Sequence, residues 1–191
     1  SRMHGSEEVL ARLVCQRLTG RSHVQLLIGG LGMGYSLAAA LDGMPADGRV
    51  TVAELVPAVV AWNRGPLAHL AGRPLADERV NVREIDVAAA IQSAAADFDA
   101  IVLDVDNGPG GLTRPENDRL YGSCGLAAVW AALRPAGVLA VWSAGPDNAF
   151  AARLRRAGFS VETIRAAARG RRGGGRHTIW LATRSRKDKD A

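Results

Sequence analysis

The chain has 191 residues, 48% of them hydrophobic, a length that suits one domain with a substantial core. No apolar run reaches the roughly 18–20 residues that a membrane span needs, and the segment from Ser1 to Glu8 lacks the apolar centre of a signal peptide. These features exclude a helical membrane protein and predict a soluble, cytoplasmic one. The formal net charge of +5 is uneven, because nine basic and two acidic residues fall between Arg165 and Ala191, which leaves the rest slightly acidic. Nearly all the basic residues are Arg, alongside abundant Ala, as in a genome rich in G and C. Residues 1–184 read as a single domain and 185–191 as a disordered basic tail.

In chain order, Val9, Leu10, Leu13, Val14 and Leu18 fall on one face of a helix over 7–18, with Ser6 as its N-cap and Gly20 at its end. An apolar run over 24–28 ends in glycines and predicts a buried parallel strand, followed by a helix over 36–41. Strand and helix then alternate. Strands are expected over 49–55, 79–85, 99–105 and 137–143. Helices are expected over 57–70, with Pro57 in the first turn, then over 88–96, 117–133 and 147–157, the last ended by Gly158. Two further strands, 159–164 and 178–183, are joined by a basic glycine-rich loop with no helix, so they pair as an antiparallel hairpin. The fold class is α/β: a seven-stranded, mostly parallel sheet with helices on both faces and a C-terminal antiparallel hairpin.

Cys15 and Cys124 both sit in apolar helical patterns, with no CxxC and no Cys/His cluster, so they read as buried reduced thiols and no metal site is expected. Trp62, Trp130, Trp142 and Trp180 read chiefly as packing residues. Trp142, at the end of the fifth strand, is the exception that reads as pocket-lining. Tyr121 either lines an acceptor pocket or packs on a helix face.

The chemistry is expected at the carboxyl ends of the strands. Gly29-Gly30-Leu31-Gly32-Met33-Gly34 joins a strand to a helix, which lets a ligand lie against bare backbone and the free N–H groups of a helix start. A tight structural turn alone also uses glycine. Glu54, 20 residues after Gly34 at the end of the second strand, adds a carboxylate placed to accept both hydroxyls of a ribose, with Leu55 beside it. Asp86, followed by Val87, closes the third strand; it can accept from the exocyclic amine of adenine, cap the next helix, or both. The fourth strand ends in Asp104-Val105-Asp106-Asn107, where a carboxylate can orient an amine and take its proton; a turn-forming acidic cluster is the alternative. The spacing Gly30-x-Gly32-x-Gly34, with Tyr35 next, breaks the Gly-x-Gly-x-x-Gly of NAD folds. It fits the pattern typical of S-adenosylmethionine enzymes.

From about Glu8 to Thr183 the sequence resembles the spermidine synthase-like branch of class I S-adenosylmethionine-dependent transferases. The resemblance rests on Ile28-Gly29-Gly30-Leu31-Gly32-Met33-Gly34, Ala53-Glu54-Leu55-Val56, Ile85-Asp86-Val87, Phe98-Asp99-Ala100-Ile101-Val102-Leu103-Asp104 and Leu133-Arg134-Pro135-Ala136-Gly137-Val138-Leu139. It implies S-adenosylmethionine or decarboxylated S-adenosylmethionine as donor. The corresponding products are S-adenosylhomocysteine or methylthioadenosine, and no metal is implied. It implies nucleoside contacts by Glu54 and Asp86, catalytic positions at Asp104, Asp106 and Asn107, and a pocket residue at Glu8. Three departures stand out. Asn107 replaces the family's second acid, and Asn is no general base. Leu31-Gly32 replaces Gly-Asp in the loop. The family's N-terminal β-domain has no counterpart in these residues.

The expected function is therefore transfer of an aminopropyl or methyl group to a small amine. Two alternatives stay open. One is a nucleic-acid methyltransferase, motivated by Arg165, Arg169, Arg171, Arg172, Arg176 and His177 around Gly173-Gly174-Gly175. The other is a catalytically silent nucleoside-binding homologue, motivated by Asn107. Nucleic acid and membrane are not expected partners, and a homodimer is left open.

Overall fold

The computed structural model describes residues 5–105, 108–109, 120–167 and 176–185. Residues 186–191 of the expected 185–191 tail, 168–175 of the basic loop, 117–119 of the expected 117–133 helix, and Asp106 and Asn107 lie outside them. The described elements run α1 (Gly5–Arg17), β1 (Gln25–Gly29), α2 (Tyr35–Gly43), β2 (Arg49–Ala53), α3 (Pro57–Arg64), β3 (Val80–Arg83), α4 (Val87–Gln92), β4 (Phe98–Leu103), α5 (Ser123–Ala132), β5 (Leu133–Ser143), α6 (Asn148–Arg156), β6 (Phe159–Ala167) and β7 (Arg176–Arg184). Two short 3-10 turns, Ala68–Ala71 and Pro74–Ala76, follow α3.

The seven strands form one sheet in the order β3-β2-β1-β4-β5-β7-β6. The first five are parallel, and β7 inserts antiparallel between β5 and β6. The central strands are apolar runs because helices cover both faces; all six residues of β4 are buried. Alternate side chains divide between two cores. Leu26, Ile28, Val102 and Ala140 face Leu10 and Val14 of α1 and Leu37 and Ala40 of α2. Leu27, Ile101, Leu139 and Trp180 face Ile91 of α4, Leu126 and Val129 of α5, and Phe150 and Leu154 of α6. Each such Leu contributes about 2 kcal/mol by leaving water.

Several sequence expectations need correction. α1 begins at Gly5, so Ser6 lies inside the helix and is not its cap. The third helix stops at Arg64. Gly65 ends it because Pro66 disfavours helical geometry in the residue before it. β2 and β3 end at Ala53 and Arg83, so Glu54 and Asp86 sit just past the strands. β5 starts at Leu133, which pairs with Phe98 ahead of an irregularity that the turn-like Pro135-Ala136-Gly137 introduces. Cys124 is exposed, whereas Cys15 is buried and its thiol is pushed up to about 11 by desolvation. Trp62 is 51% exposed, so it is not a core residue. Trp180 is the fully buried tryptophan, with its ring edge-on to Phe150.

No helix among the described residues is long and apolar enough to cross a membrane. The amino ends of the strands are fastened by Asp99. Its carboxylate accepts from Arg21 at 3.0 Å, from Arg134 at 2.7 Å and from the Gln25 amide at 3.0 Å. The opposite, carboxyl ends leave an open rim where β1 pairs with β2 on one side and β4 on the other. Such a switch point is where open α/β sheets bind ligands.

Candidate functional site

The glycine loop leaves β1 at this rim. The Gly30 amide donates to the Ala53 carbonyl at 2.9 Å, and its φ is +82°. A Cβ there would come within 2.9 Å of the Asp104 carbonyl oxygen, so only glycine lets β1 turn this close to β4. Gly32, at φ +51°, has open space where its side chain would be, and forms the exposed crest of the loop. Gly34 then caps α2 without a side chain, leaving the first-turn amides of that helix open.

Glu54 is 7% exposed and lies beneath this loop. One carboxylate oxygen accepts from the Leu31 amide and the other from the Val56 amide, both at 2.8 Å. Each oxygen keeps a second lone pair. Glu54 thus ties the loop to the end of β2 while presenting acceptor capacity at the rim. Leu55 beside it is half exposed. Asp86 caps α4 by accepting from the Ala88 amide at 2.8 Å, which fulfils the capping alternative and leaves the carboxylate exposed. Val87 is buried, and a Cβ on Gly29 would meet its Cγ2 at 2.7 Å.

Asp104 is one residue beyond β4, with its amide donating to the Gly29 carbonyl at 3.2 Å. Its carboxylate accepts from the Ser36 hydroxyl at 2.8 Å, and no basic side chain pairs with it among the described residues. Burial pushes its carboxyl above the usual carboxylate range, partly offset by the Ser36 hydrogen bond. It opens on a cleft of about 150 Å³ that is also lined by Glu7, Gly32, Met33, Ser36 and Trp142.

The structure thus brings together the glycine loop, Glu54, Asp104 and Trp142 at one rim. Trp142 lines the cleft; its indole N–H has no hydrogen-bond partner among the described residues, and its ring meets His177 edge-on at 4.7 Å. His177 is held below the usual histidine range by desolvation. Glu8 is not in the cleft: it pairs with Arg12 on the surface of α1 at 3.0 Å, and Glu7 lines the cleft instead. Tyr121 belongs to the core, buried with its ring edge-on to Phe150.

Three residues escaped the sequence reading: Glu7, Ser36 and Asn63. Asn63, buried in α3, donates from its side-chain amide to the Gly32 and Val59 carbonyls, both at 2.9 Å, and so fixes the crest of the loop. The available signal was a polar residue at a buried position of a helix next to a glycine turn. No group of metal-ligating side chains occurs among the described residues.

No family model and no curated protein matches the sequence. Solved structures do match. They include the spermidine synthase of Thermotoga maritima (TM-score 0.75, 19% identity, covering 96% of this chain and 60% of that one). A spermidine synthase in complex with the transition-state analogue AdoDATO gives a TM-score of 0.71 at 18% identity, covering 96% and 60%. The precorrin-6y C5,15-methyltransferase of Geobacter metallireducens GS-15 gives 0.61 at 17% identity, covering 91% and 87%. The chain has the class I methyltransferase fold, shared by methyltransferases and spermidine synthase. It spans about three fifths of the length of the spermidine synthases it matches.

Proposed function

We propose that the chain is an S-adenosyl-dependent transferase of the spermidine synthase-like kind that moves an aminopropyl or methyl group to a small amine. The observation that carries this reading is Asp104, a half-buried carboxylate with no counter-cation among the described residues, hydrogen-bonded to Ser36 and open to the cleft beside the glycine loop. The acids Glu7 and Asp104, with no basic side chain lining the same cleft, suit a cationic or basic acceptor.

The residues fit an adenosyl donor. Gly32 leaves room against the backbone, Glu54 has spare lone pairs for ribose hydroxyls, and Leu55 and Asp86, both exposed just past their strands, are available to the base. The bound donor supplies a carbon activated by a sulfonium. Asp104 orients the acceptor amine and takes its proton as the C–N bond forms and the C–S electron pair returns to sulfur. A carboxylate whose affinity for protons is raised by burial is a better base near neutral pH than a solvated one. Ser36 holds that carboxylate in one orientation, and Trp142 closes the cleft on the β5 side.

The test is incubation of the protein with S-adenosylmethionine and, separately, with its decarboxylated form, each with a panel of polyamines. Release of methylthioadenosine establishes aminopropyl transfer, and release of S-adenosylhomocysteine establishes methyl transfer. Neither product with any acceptor overturns the proposal in favour of a silent nucleoside-binding protein.

A further inference from the structure

A second cavity, of about 460 Å³, lies behind α3 and is lined by Asn63, Arg64, Gly65, Ala68, His69 and Arg73 among others. Its volume falls in the range of about 300–1,000 Å³ that small-molecule sites occupy. It contains neither Glu54, Asp86 nor Asp104, so it is not the cleft described above. Its lining is basic, with Arg64, His69 and Arg73 around one cavity. Arg12, Arg17, Arg21, Arg79, Arg134 and Arg153 each face a carboxylate. Arg64 and Arg73 have no acceptor among the described residues, and no acid lines their cavity.

Two acids, Asp42 and Asp77, line another cavity that shares Arg73. Asp77 is already engaged by Arg79, which donates to both of its carboxylate oxygens at 2.8 and 3.0 Å. The backbone that presents Arg73 is also costly. Gly72 and Arg73 take consecutive positive φ values, +74° and +61°, between the two 3-10 turns. A bulky residue in that region costs about 1 kcal/mol, and such strain concentrates where a side chain must be aimed.

We propose that this cavity binds the phosphate of a small phosphorylated molecule, held by the guanidinium groups of Arg64 and Arg73 with His69 as a third donor. Two planar forks and an imidazole, all on exposed residues lining one cavity, match an anion with several terminal oxygens better than a single carboxylate. The three basic residues line one cavity of small-molecule size, which favours a small ligand over a nucleic-acid strand. Asn63 forms the wall shared with the glycine loop, so an occupant would touch the residue that fixes Gly32. The proposal does not depend on the transferase reading, because its test needs neither donor nor acceptor.

The experiment is calorimetric titration of the full chain, in phosphate-free buffer, with inorganic pyrophosphate, with adenosine monophosphate and with a short single-stranded oligonucleotide. The expected result is saturable one-to-one binding of pyrophosphate or the monophosphate, weakened about tenfold by Arg64→Ala and by Arg73→Gly. Arg73→Gly suits the positive φ, so its effect does not come from a misfolded turn. Arg155→Ala, on the exposed side of α6, should leave binding unchanged. No saturation at millimolar ligand, equal loss in Arg155→Ala, or an oligonucleotide that binds far more tightly than either small anion would overturn the proposal.

Discussion

An aspartate stands near each end of strand β4, Asp99 buried and Asp104 half-buried, and the fold treats the two in opposite ways. Asp99, near the amino end, is neutralised by Arg21 and Arg134 and also accepts from the Gln25 amide. Arg21 further donates to the Ala136 carbonyl at 2.8 Å, so one carboxylate joins the entry to β1 and the start of β5. Asp104, just past the carboxyl end, is left with a serine hydroxyl and no cation among the described residues. Burying an unpaired carboxylate costs stability, and the group responds by holding its proton more tightly. The paired aspartate is a staple. The unpaired one stands at the switch point, where its cost has a use.

The largest expected difference between them is in chemistry. Asp104→Asn keeps the size and the hydrogen bond to Ser36 but cannot accept a proton, so turnover should fall about 10²–10⁴-fold while the fold persists. Product formation and far-UV circular dichroism, measured on the same preparation, check both halves. Asp99→Ala should do the reverse. It strands the Gln25 amide and leaves two arginines facing each other, at a cost of about 2 kcal/mol, moderated because both arginines reach solvent. Urea unfolding measures it. Turnover at a temperature where the variant is folded should change far less than in Asp104→Asn.

The smallest effect is on the pH dependence of stability. Asp104 has a folded value above its unfolded one, so between the two the native state binds more protons than the unfolded state. Its cost is absent below the ordinary carboxylate value and is fully present above the raised one. The wild type should therefore lose stability relative to Asp104→Asn as pH rises through that window. Parallel curves for the two proteins would contradict the unpaired burial of Asp104.

The strands were legible in the sequence because a sheet covered on both faces needs continuous apolar runs, and the closing hairpin because no helix separates its strands. The insertion of β7 between β5 and β6 was not, since it depends on which edge of β5 is free. The glycine loop, Glu54, Asp86 and Asp104 were legible because strand ends fix their position along the chain. Glu7, Ser36 and Asn63 were hidden by helix rotation. Each helical step turns a side chain by about 100°, so the adjacent acids Glu7 and Glu8 face different surroundings. The same uncertainty explains Cys124 and Trp62, whose apolar neighbours suggested burial that the helix orientation does not give them. The basic lining behind α3 comes from residues of α3 and the turns after it, folded together by an irregular segment that was read as continuous helix.

The most direct measurement is binding of methylthioadenosine and S-adenosylhomocysteine by calorimetry, because both carry the adenosyl group without requiring turnover. The account predicts one-to-one saturable binding of at least one of them, weakened about tenfold or more by Glu54→Gln and retained in Asp104→Asn. If neither ligand binds, or if Glu54→Gln binds as the wild type does, the rim of this sheet is not an adenosyl site.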